Sequence, residues 1–258
     1  MQSLDECVVQ AMDGDQKALF PFLPYIVQDL WEFGTNADHV LELIPKHLPM
    51  QEFSLLDLGC GKGAVGIKAA KKFQCRVLGI DAVEAFILEA RTKAEQWEVA
   101  DLCDFRVGDI RLQLPFETFD VIVLGAIGPV FGNYQQTIQV LLPLLNPGAI
   151  VIIDDAWIED GAEFSHPLIM SRKHVLQQIE AANFKVLEVD DFEQPFVAAL
   201  NEEIYAAVEK RCTELTKLFP EQKALFRNYL ERQQTENEIL ESKVTPYIIV
   251  LKKADPEA

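Results

Sequence analysis

The chain is poor in the features that would tie it to nucleic acid, a membrane or a disulfide framework. Its 23 Lys and Arg are outnumbered by 41 Asp and Glu, for a formal net charge of -18. A field of that sign repels phosphate backbones and anionic lipids unless a basic patch is segregated. No such patch is visible: Lys and Arg are scattered, and the acidic stretches Glu188 to Glu193 and Glu231 to Glu241 hold few of them. Nucleic acid is therefore not an expected partner. Cysteine is sparse, and Cys7, Cys60, Cys75, Cys103 and Cys212 include no pair at C-x-x-C spacing. That excludes a disulfide framework or zinc site as an expectation and fits a reducing cytoplasm. No run approaches the roughly 18 uncharged apolar residues of a membrane span. Met1 to Asp15 lacks the basic start and apolar run of a signal peptide, so a cytoplasmic protein without membrane contact is expected.

What the chain does have is apolar content, 49% of 258 residues, enough to bury the core of one full domain. From Phe53 to Asp155 short apolar runs alternate with helical patterns, the mark of βαβ units and a mostly parallel sheet. Strands are expected near Phe53–Asp57, Arg76–Asp81, Asp104–Val107, Asp120–Leu124 and Ala149–Asp154. Helices are expected near Ala64–Phe73, Val83–Trp97 and Tyr134–Leu145, the last stopped by Asn146-Pro147-Gly148. A helix near Arg172–Ala182, a strand near Lys185–Val189 and a final strand at Pro246–Leu251 continue the pattern.

Residues 194–244, between those last two strands, read as a helical insertion, with Phe196, Leu200, Ile204, Val208, Cys212 and Leu215 at helical spacing before Pro220 breaks the run and a second helix follows from Glu221. Such a pair fits a lid or a homodimer surface. Residues 1–50 also read as helical, with Trp31-Glu32-Phe33-Gly34 ending a helix at a glycine. They are expected to form a cap on the carboxyl edge of a core made of residues 51–193 and 245–253.

Chemistry concentrates in Leu55-Leu56-Asp57-Leu58-Gly59-Cys60-Gly61-Lys62-Gly63, which ends an apolar strand and opens a helix, so that glycine backbone can pass close to a ligand. Gly61 to Gly66 matches G-x-G-x-x-G, with Asp81 about twenty residues on, the spacing of a dinucleotide fingerprint. A triphosphate loop is excluded, because Gly63 follows Lys62 where Ser or Thr would hold magnesium. Charge separates the remaining readings. Asp57, Asp81 and Asp109 each fall at the carboxyl end of an expected strand, a poor environment for pyrophosphate. They suit a ligand with an ammonium, ribose hydroxyls, an adenine amino group and a positive sulfonium.

On these residues the chain resembles the class I S-adenosylmethionine-dependent methyltransferases, from about Phe53 to Leu251. The fourth-strand match is Phe119 to Gly125 and the fifth-strand region is Leu142 to Asp154. The resemblance implies an α/β, Rossmann-like, doubly wound seven-stranded sheet with its last strand antiparallel, plus the N-terminal helical cap and the helical insertion. It implies that the backbone of Gly59, Cys60 and Gly61 approaches the methionine part of the cofactor and that Asp57 holds its amino group. Asp81, with Ala82 beside it, would take the ribose hydroxyls, Asp109 and Ile110 the adenine, and Gly125 would border the sulfonium.

Cys60 needs only to be small, so a nucleophilic role is not expected. Gly125-Ala126-Ile127-Gly128-Pro129-Val130-Phe131 lacks the Pro-Pro motif of adenine and glutamine methylation. Asp154 and Asp155 invite a magnesium reading, but the fourth strand supplies no acid, so no metal is expected and the pair reads as solvated or substrate-facing. Asp155 and His166 are the candidate general bases, by position beside the expected methyl group. The expected function is methyl transfer to a small-molecule acceptor. A nicotinamide-dependent oxidoreductase and a non-catalytic adenosylmethionine-binding regulator remain open beside it.

Overall fold

The computed structural model describes residues 2–48 and 52–254, so the boundary expected between residues 50 and 51 lies outside the described residues. Seven strands form one sheet: β1 (Ser54–Leu58), β2 (Arg76–Asp81), β3 (Cys103–Val107), β4 (Phe119–Gly125), β5 (Leu145–Trp157), β6 (Phe184–Asp191) and β7 (Thr245–Lys253). Their order is β3-β2-β1-β4-β5-β7-β6, with β7 antiparallel to both β5 and β6 and the remaining pairs parallel. The expected doubly wound sheet with an antiparallel last strand is the one observed.

The inner strands are apolar on both faces because helices cover both. On one face α3 (Ala37–His47), α4 (Ala64–Phe73) and α5 (Glu84–Gln96) bury Val40, Ile44, Ile67 and Ile87 against Leu55, Val121 and Ile152. On the other, α6 (Tyr134–Leu141) and α7 (Arg172–Ala181) pack Ile138 and Ile179 against Ile122, Val151 and Ile249. The insertion forms α8 (Gln194–Leu218) and α9 (Lys223–Ser242), joined by a short turn at Pro220–Gln222. Val208, Cys212, Leu215, Phe226 and Tyr229 on this pair pack on the N-terminal residues Leu19, Leu23, Ile26 and Val27.

Some boundaries differ from expectation. The helix expected to reach Leu145 stops at Leu141 and tightens into a 3-10 turn, because Pro143 has no N–H to give the carbonyl four residues back. Asn146-Pro147-Gly148 then lies inside β5, not between a helix and a strand. Trp31 to Gly34 does not end a helix: α1 (Leu4–Ala11) is followed by a 3-10 turn at Lys17–Phe22, α2 (Leu23–Ile26) stops early, and residues 30–36 run irregularly over the sheet edge. The physical reason is a tertiary contact, described below, that takes the carbonyls of Val27 and Leu30. No described helix is long and apolar enough to cross a membrane.

Candidate functional site

The parallel strands β1, β2 and β4 end together, and Asp57, Gly59, Cys60, Gly61, Asp81, Ala82 and Gly125 gather there. Asp57 is the fourth residue of β1, 2% exposed, and is paired with Gly79 of β2 and Val123 of β4. Its Oδ2 is sealed from solvent and has no hydrogen-bond partner. Burial, reinforced by the negative charge of Asp81, pushes its carboxyl up to about 7.

Above it, Gly59 and Gly61 adopt φ of 74° and 52°, values that an L side chain rarely tolerates. The loop's donors are already spent: the N–H groups of Gly59 and Cys60 donate to the Ile80 carbonyl at 2.8 and 3.2 Å, and that of Gly61 to Asp81 Oδ2 at 2.9 Å. Asp81 Oδ1 accepts from the Val83 N–H at 2.8 Å. A loop that cradles phosphate aims such N–H groups at its ligand. This one keeps them inside and presents close approach and carbonyl oxygens, which suit a donor-rich cation. The Cys60 thiol is buried and pushed well above its usual range by that burial, which leaves it unreactive.

Lys62, between the glycines, is the residue that local pattern did not reveal. Its side chain is sealed, and Nζ donates to the carbonyls of Val27 at 2.8 Å and Leu30 at 2.7 Å while pairing with Glu89 at 2.9 Å. Trp31 Nε1 returns a bond to the Lys62 carbonyl at 3.1 Å. The segment so pinned lies on the glycines: the Phe33 ring would meet a Cβ on Gly61 at 3.3 Å, and Thr35 Oγ1 one on Gly125 at 2.5 Å. From β4's following loop, an Ile127 methyl would meet a Cβ on Gly59 at 2.4 Å.

Asp109 and Ile110 follow β3 as expected, but Asp109 is tied to Arg111, whose Nε and Nη2 donate to its two oxygens at 2.9 and 2.8 Å, and this pairing holds its pKa below the usual carboxylate range. It also holds a turn, accepting from the Arg111 backbone N–H at 3.0 Å.

Asp154 and Asp155 do not end β5, which runs on to Trp157 against β7, and they point to opposite sides of the sheet, since successive strand residues alternate. They are therefore not a solvated pair. Asp155 is satisfied: the Tyr134 hydroxyl donates to Oδ2 at 2.9 Å and the Ala156 N–H to Oδ1 at 2.8 Å, with Tyr134 in turn bonded to the Tyr247 hydroxyl. Asp154 is paired in register with Gly125, is sealed from solvent, and has the Thr35 hydroxyl as its hydrogen-bonding neighbour. Burial raises its carboxyl to about 8. A small cavity walled by Leu124, Ile127, Met170 and Val175 lies on the Asp155 side of the sheet. His166 is not brought there: it lies in a separate shallow depression formed by residues 158–174, accepting from the Leu168 N–H at 3.3 Å. Among the described residues, no group of three or more His, Cys, Asp or Glu is placed to hold a metal ion.

With this geometry in place, the comparisons with known proteins are specific. A family model described as a methyltransferase domain matches residues 51–234. No curated protein matches the chain in sequence. Among solved structures, a methyltransferase from Geobacter sulfurreducens, dependent on S-adenosylmethionine and in complex with S-adenosyl-L-homocysteine, superposes with a TM-score of 0.74 at 17% identity, covering 90% of this chain and 98% of that one. A methyltransferase from Thiobacillus denitrificans in the same kind of complex gives 0.73 at 19% identity, with coverage of 90% and 98%. The cyclase SpnF gives 0.71 at 17% identity, with 96% of each chain covered. At these identities the likeness is one of fold, and it includes a protein named for a different reaction.

Proposed function

This chain belongs to the methyltransferase-domain family, the class I S-adenosylmethionine-dependent group, and from that premise we propose that the crevice over β1, β2 and β4 binds S-adenosylmethionine for methyl transfer to a small-molecule acceptor. The observation that carries the reading is the loop Gly59 to Gly61, whose N–H groups are spent internally above the sealed, unpartnered Asp57 oxygen. A pyrophosphate would find no donors there, whereas an ammonium would find an acceptor. The residues present fit the cofactor by the chemistry of their donors and acceptors.

In this reading Asp57 takes the amino group and the backbone of Gly59, Cys60 and Gly61 borders the methionine part. Asp81 and Ala82 face the ribose, Asp109 and Ile110 the adenine, and Gly125 the sulfonium. When bound, the cofactor supplies a methyl group on positively charged sulfur. The protein's own task is alignment and exclusion of water. Phe33, Thr35 and Ile127, which rest on the three glycines, are the side chains that move aside for the ligand and then cover it. The apolar faces of α8 and α9 are used against the N-terminal segment, which favours a supporting role for the insertion in that lid over a dimer surface.

Thermal-shift titration tests the reading. Adenosylhomocysteine at a hundredfold excess over its Kd is expected to stabilise the fold by about 2.7 kcal/mol, and NAD by nothing measurable. Stabilisation by NAD alone overturns the proposal in favour of an oxidoreductase. Binding of adenosylhomocysteine without methyl transfer to any of a panel of small amines, phenols, thiols and carboxylates favours the regulatory alternative.

A further inference from the structure

The acids assigned to the cofactor are not held alike. Burial pushes the Asp57 and Asp81 carboxyls up, whereas the Arg111 guanidinium beside Asp109 holds that carboxyl below the usual range. A turn of this kind needs only the bond from the Arg111 backbone N–H to Asp109 Oδ1, at 3.0 Å. The guanidinium adds a fork to it, Nε to Oδ1 and Nη2 to Oδ2 at 2.9 and 2.8 Å, and the pair is largely enclosed, with the Arg111 and Asp109 side chains 16% and 12% exposed. Arg111 is itself held from the far side: Nη1 donates to the Gln2 carbonyl at 3.2 Å, just ahead of α1, and Cys7 of α1 is the other titratable group that faces it. The turn abuts the crevice, since the Gly108 N–H donates to the Asp81 carbonyl at 2.9 Å and Ile110 packs in one apolar cluster with Leu58 and Ile80. A carboxylate offers about four acceptor positions, two on each oxygen. Both on Oδ1 are taken, by Nε and by the backbone N–H, and one on Oδ2 is taken by Nη2. The position left open is on Oδ2, and because the group is held ionised it can accept a hydrogen bond but not donate one.

We propose that Arg111 is the positioning residue that makes this site selective for a purine carrying an amino group, by fixing Asp109 so that its one open acceptor position, on Oδ2, meets the ring. A 6-amino group donates to that position. A 6-oxo group presents a lone pair to it, and a carboxylate fixed in the fork can neither turn away nor take up a proton to relieve the mismatch. Arg111 acts through Asp109 and not on the ligand. The Gln2 contact braces the guanidinium from the N-terminal segment as well as from its own turn. This inference rests on the cofactor reading above, which places adenine at Asp109, and adds to it the group that enforces the choice of base.

Calorimetry on the full chain near neutral pH tests it with two probes, S-adenosyl-L-homocysteine and its 6-oxo counterpart S-inosyl-L-homocysteine. Wild type is expected to favour the amino ligand by at least about tenfold. Arg111→Met is expected to cut that preference several-fold, by weakening the amino ligand and leaving the oxo ligand unchanged or tighter, since a released carboxylate can turn away from it. A merely structural role would weaken both ligands by one factor and keep the ratio, and that result overturns the proposal. Arg111→Lys keeps the charge but serves one oxygen at a time, so its preference should fall between the two. The full wild-type ratio in Arg111→Lys overturns the fork as the device. Asp109→Asn replaces a fixed acceptor by an amide that also donates, and should bind the oxo ligand more tightly than wild type does. Damage to the fold cannot produce such a gain, and its absence overturns the proposal. Wild type that binds the two ligands equally overturns this inference alone, and wild type that binds neither overturns the cofactor reading with it.

Discussion

At the carboxyl edge of the sheet, the β1–β2 half is pinned from several directions while the β4–β5 half is left loose. On the first half, Ile80 and Asp81 take up the N–H groups of the glycine loop, and Lys62 and Trp31 tie that loop to the N-terminal segment. On the second, the loop after β4 passes through Ala126, Gly128 and Gly132 at positive φ, and nothing lies within 4 Å of a Cβ built on Gly128. One half is assembled before any ligand arrives and the other is free to change with it. That division suits a reaction with one fixed cofactor and an acceptor that differs from protein to protein.

The largest effect that sharpens this comparison is at Gly63. Its φ is +75°, and a Cβ there would meet Phe105 Cζ at 2.8 Å and the Ala90 Cβ at 2.9 Å. Gly63→Ala combines backbone strain with overpacking and is expected to cost about 4 kcal/mol, a fall in Tm of roughly 10 °C for a chain of this size. Gly128→Ala carries the same kind of strain, at φ +64° with no atom nearby, and should cost about 1–2 kcal/mol. Equal losses in the two variants, measured by urea denaturation, would erase the distinction between a packed and a loose half.

The next effect concerns pH. Burial raises Asp57 to about 7 in the folded state from its ordinary value of 3.8. A carboxyl raised on folding favours the fold while protonated, so its contribution is present at acidic pH and is lost as pH climbs from about 4 through about 7. Asp57 should therefore contribute a loss on the order of 3 kcal/mol across that window at about 1.4 kcal/mol per unit, and Asp154, raised to about 8, a parallel loss from about pH 4 through about pH 8. Asp57→Asn should make the decline between pH 4 and 7 shallower and leave the part that Asp154 contributes. A variant that keeps the full decline between pH 4 and 7 would show that Asp57 is not the group responsible.

Lys62→Met should come third, at about 2 kcal/mol, because methionine replaces the packing of the stem but leaves the Val27 and Leu30 carbonyls without their donor. The distinguishing signature is local. Hydrogen exchange is expected to accelerate in residues 27–36 and to stay unchanged in β5 and β7. Uniform acceleration across the sheet would mean that Lys62 supports the core and not the segment over the glycines.

Sequence made the first half of the edge readable because its determinants are local. Asp57, the glycines and Asp81 sit at fixed offsets around one strand, one turn and the next strand, so the motif carries its own geometry. Lys62 lies inside that motif and was still invisible, since its partners Val27 and Leu30 belong to a segment that only the tertiary fold brings near. The same contact misled the reading of Trp31 to Gly34 as a helix end. The acidic run from Glu188 to Glu193 reads as unmatched charge, but Glu188 pairs with Lys46 and His47, Asp190 with His39 and Asp191 with Arg172, from elements distant in sequence. Strand alternation separates Asp154 from Asp155, although the sequence reads them as one solvated or substrate-facing pair. Their opposite circumstances depend on Thr35, Tyr134 and Tyr247, for which no spacing rule exists.

The smallest effect tests the satisfied member of that pair. The Tyr247 side chain is fully buried, and its hydroxyl contacts that of Tyr134, which itself reaches Asp155 Oδ2 at 2.9 Å. Asp155 as a carboxylate can only accept, so Tyr134 donates to it and Tyr247 must donate to Tyr134: the chain has one direction. Tyr247→Phe removes the terminal donor and leaves an unfilled lone pair on Tyr134, a loss of about 1 kcal/mol. Tyr134→Phe strands both the Tyr247 hydroxyl and an Asp155 oxygen, a loss of about 2–3 kcal/mol, and the double variant should cost less than the sum of the two. Equal losses from the single variants would mean that the two phenols do not form a directed chain. Asp155 would then be held by the Ala156 N–H alone, and the contrast with Asp154 would narrow.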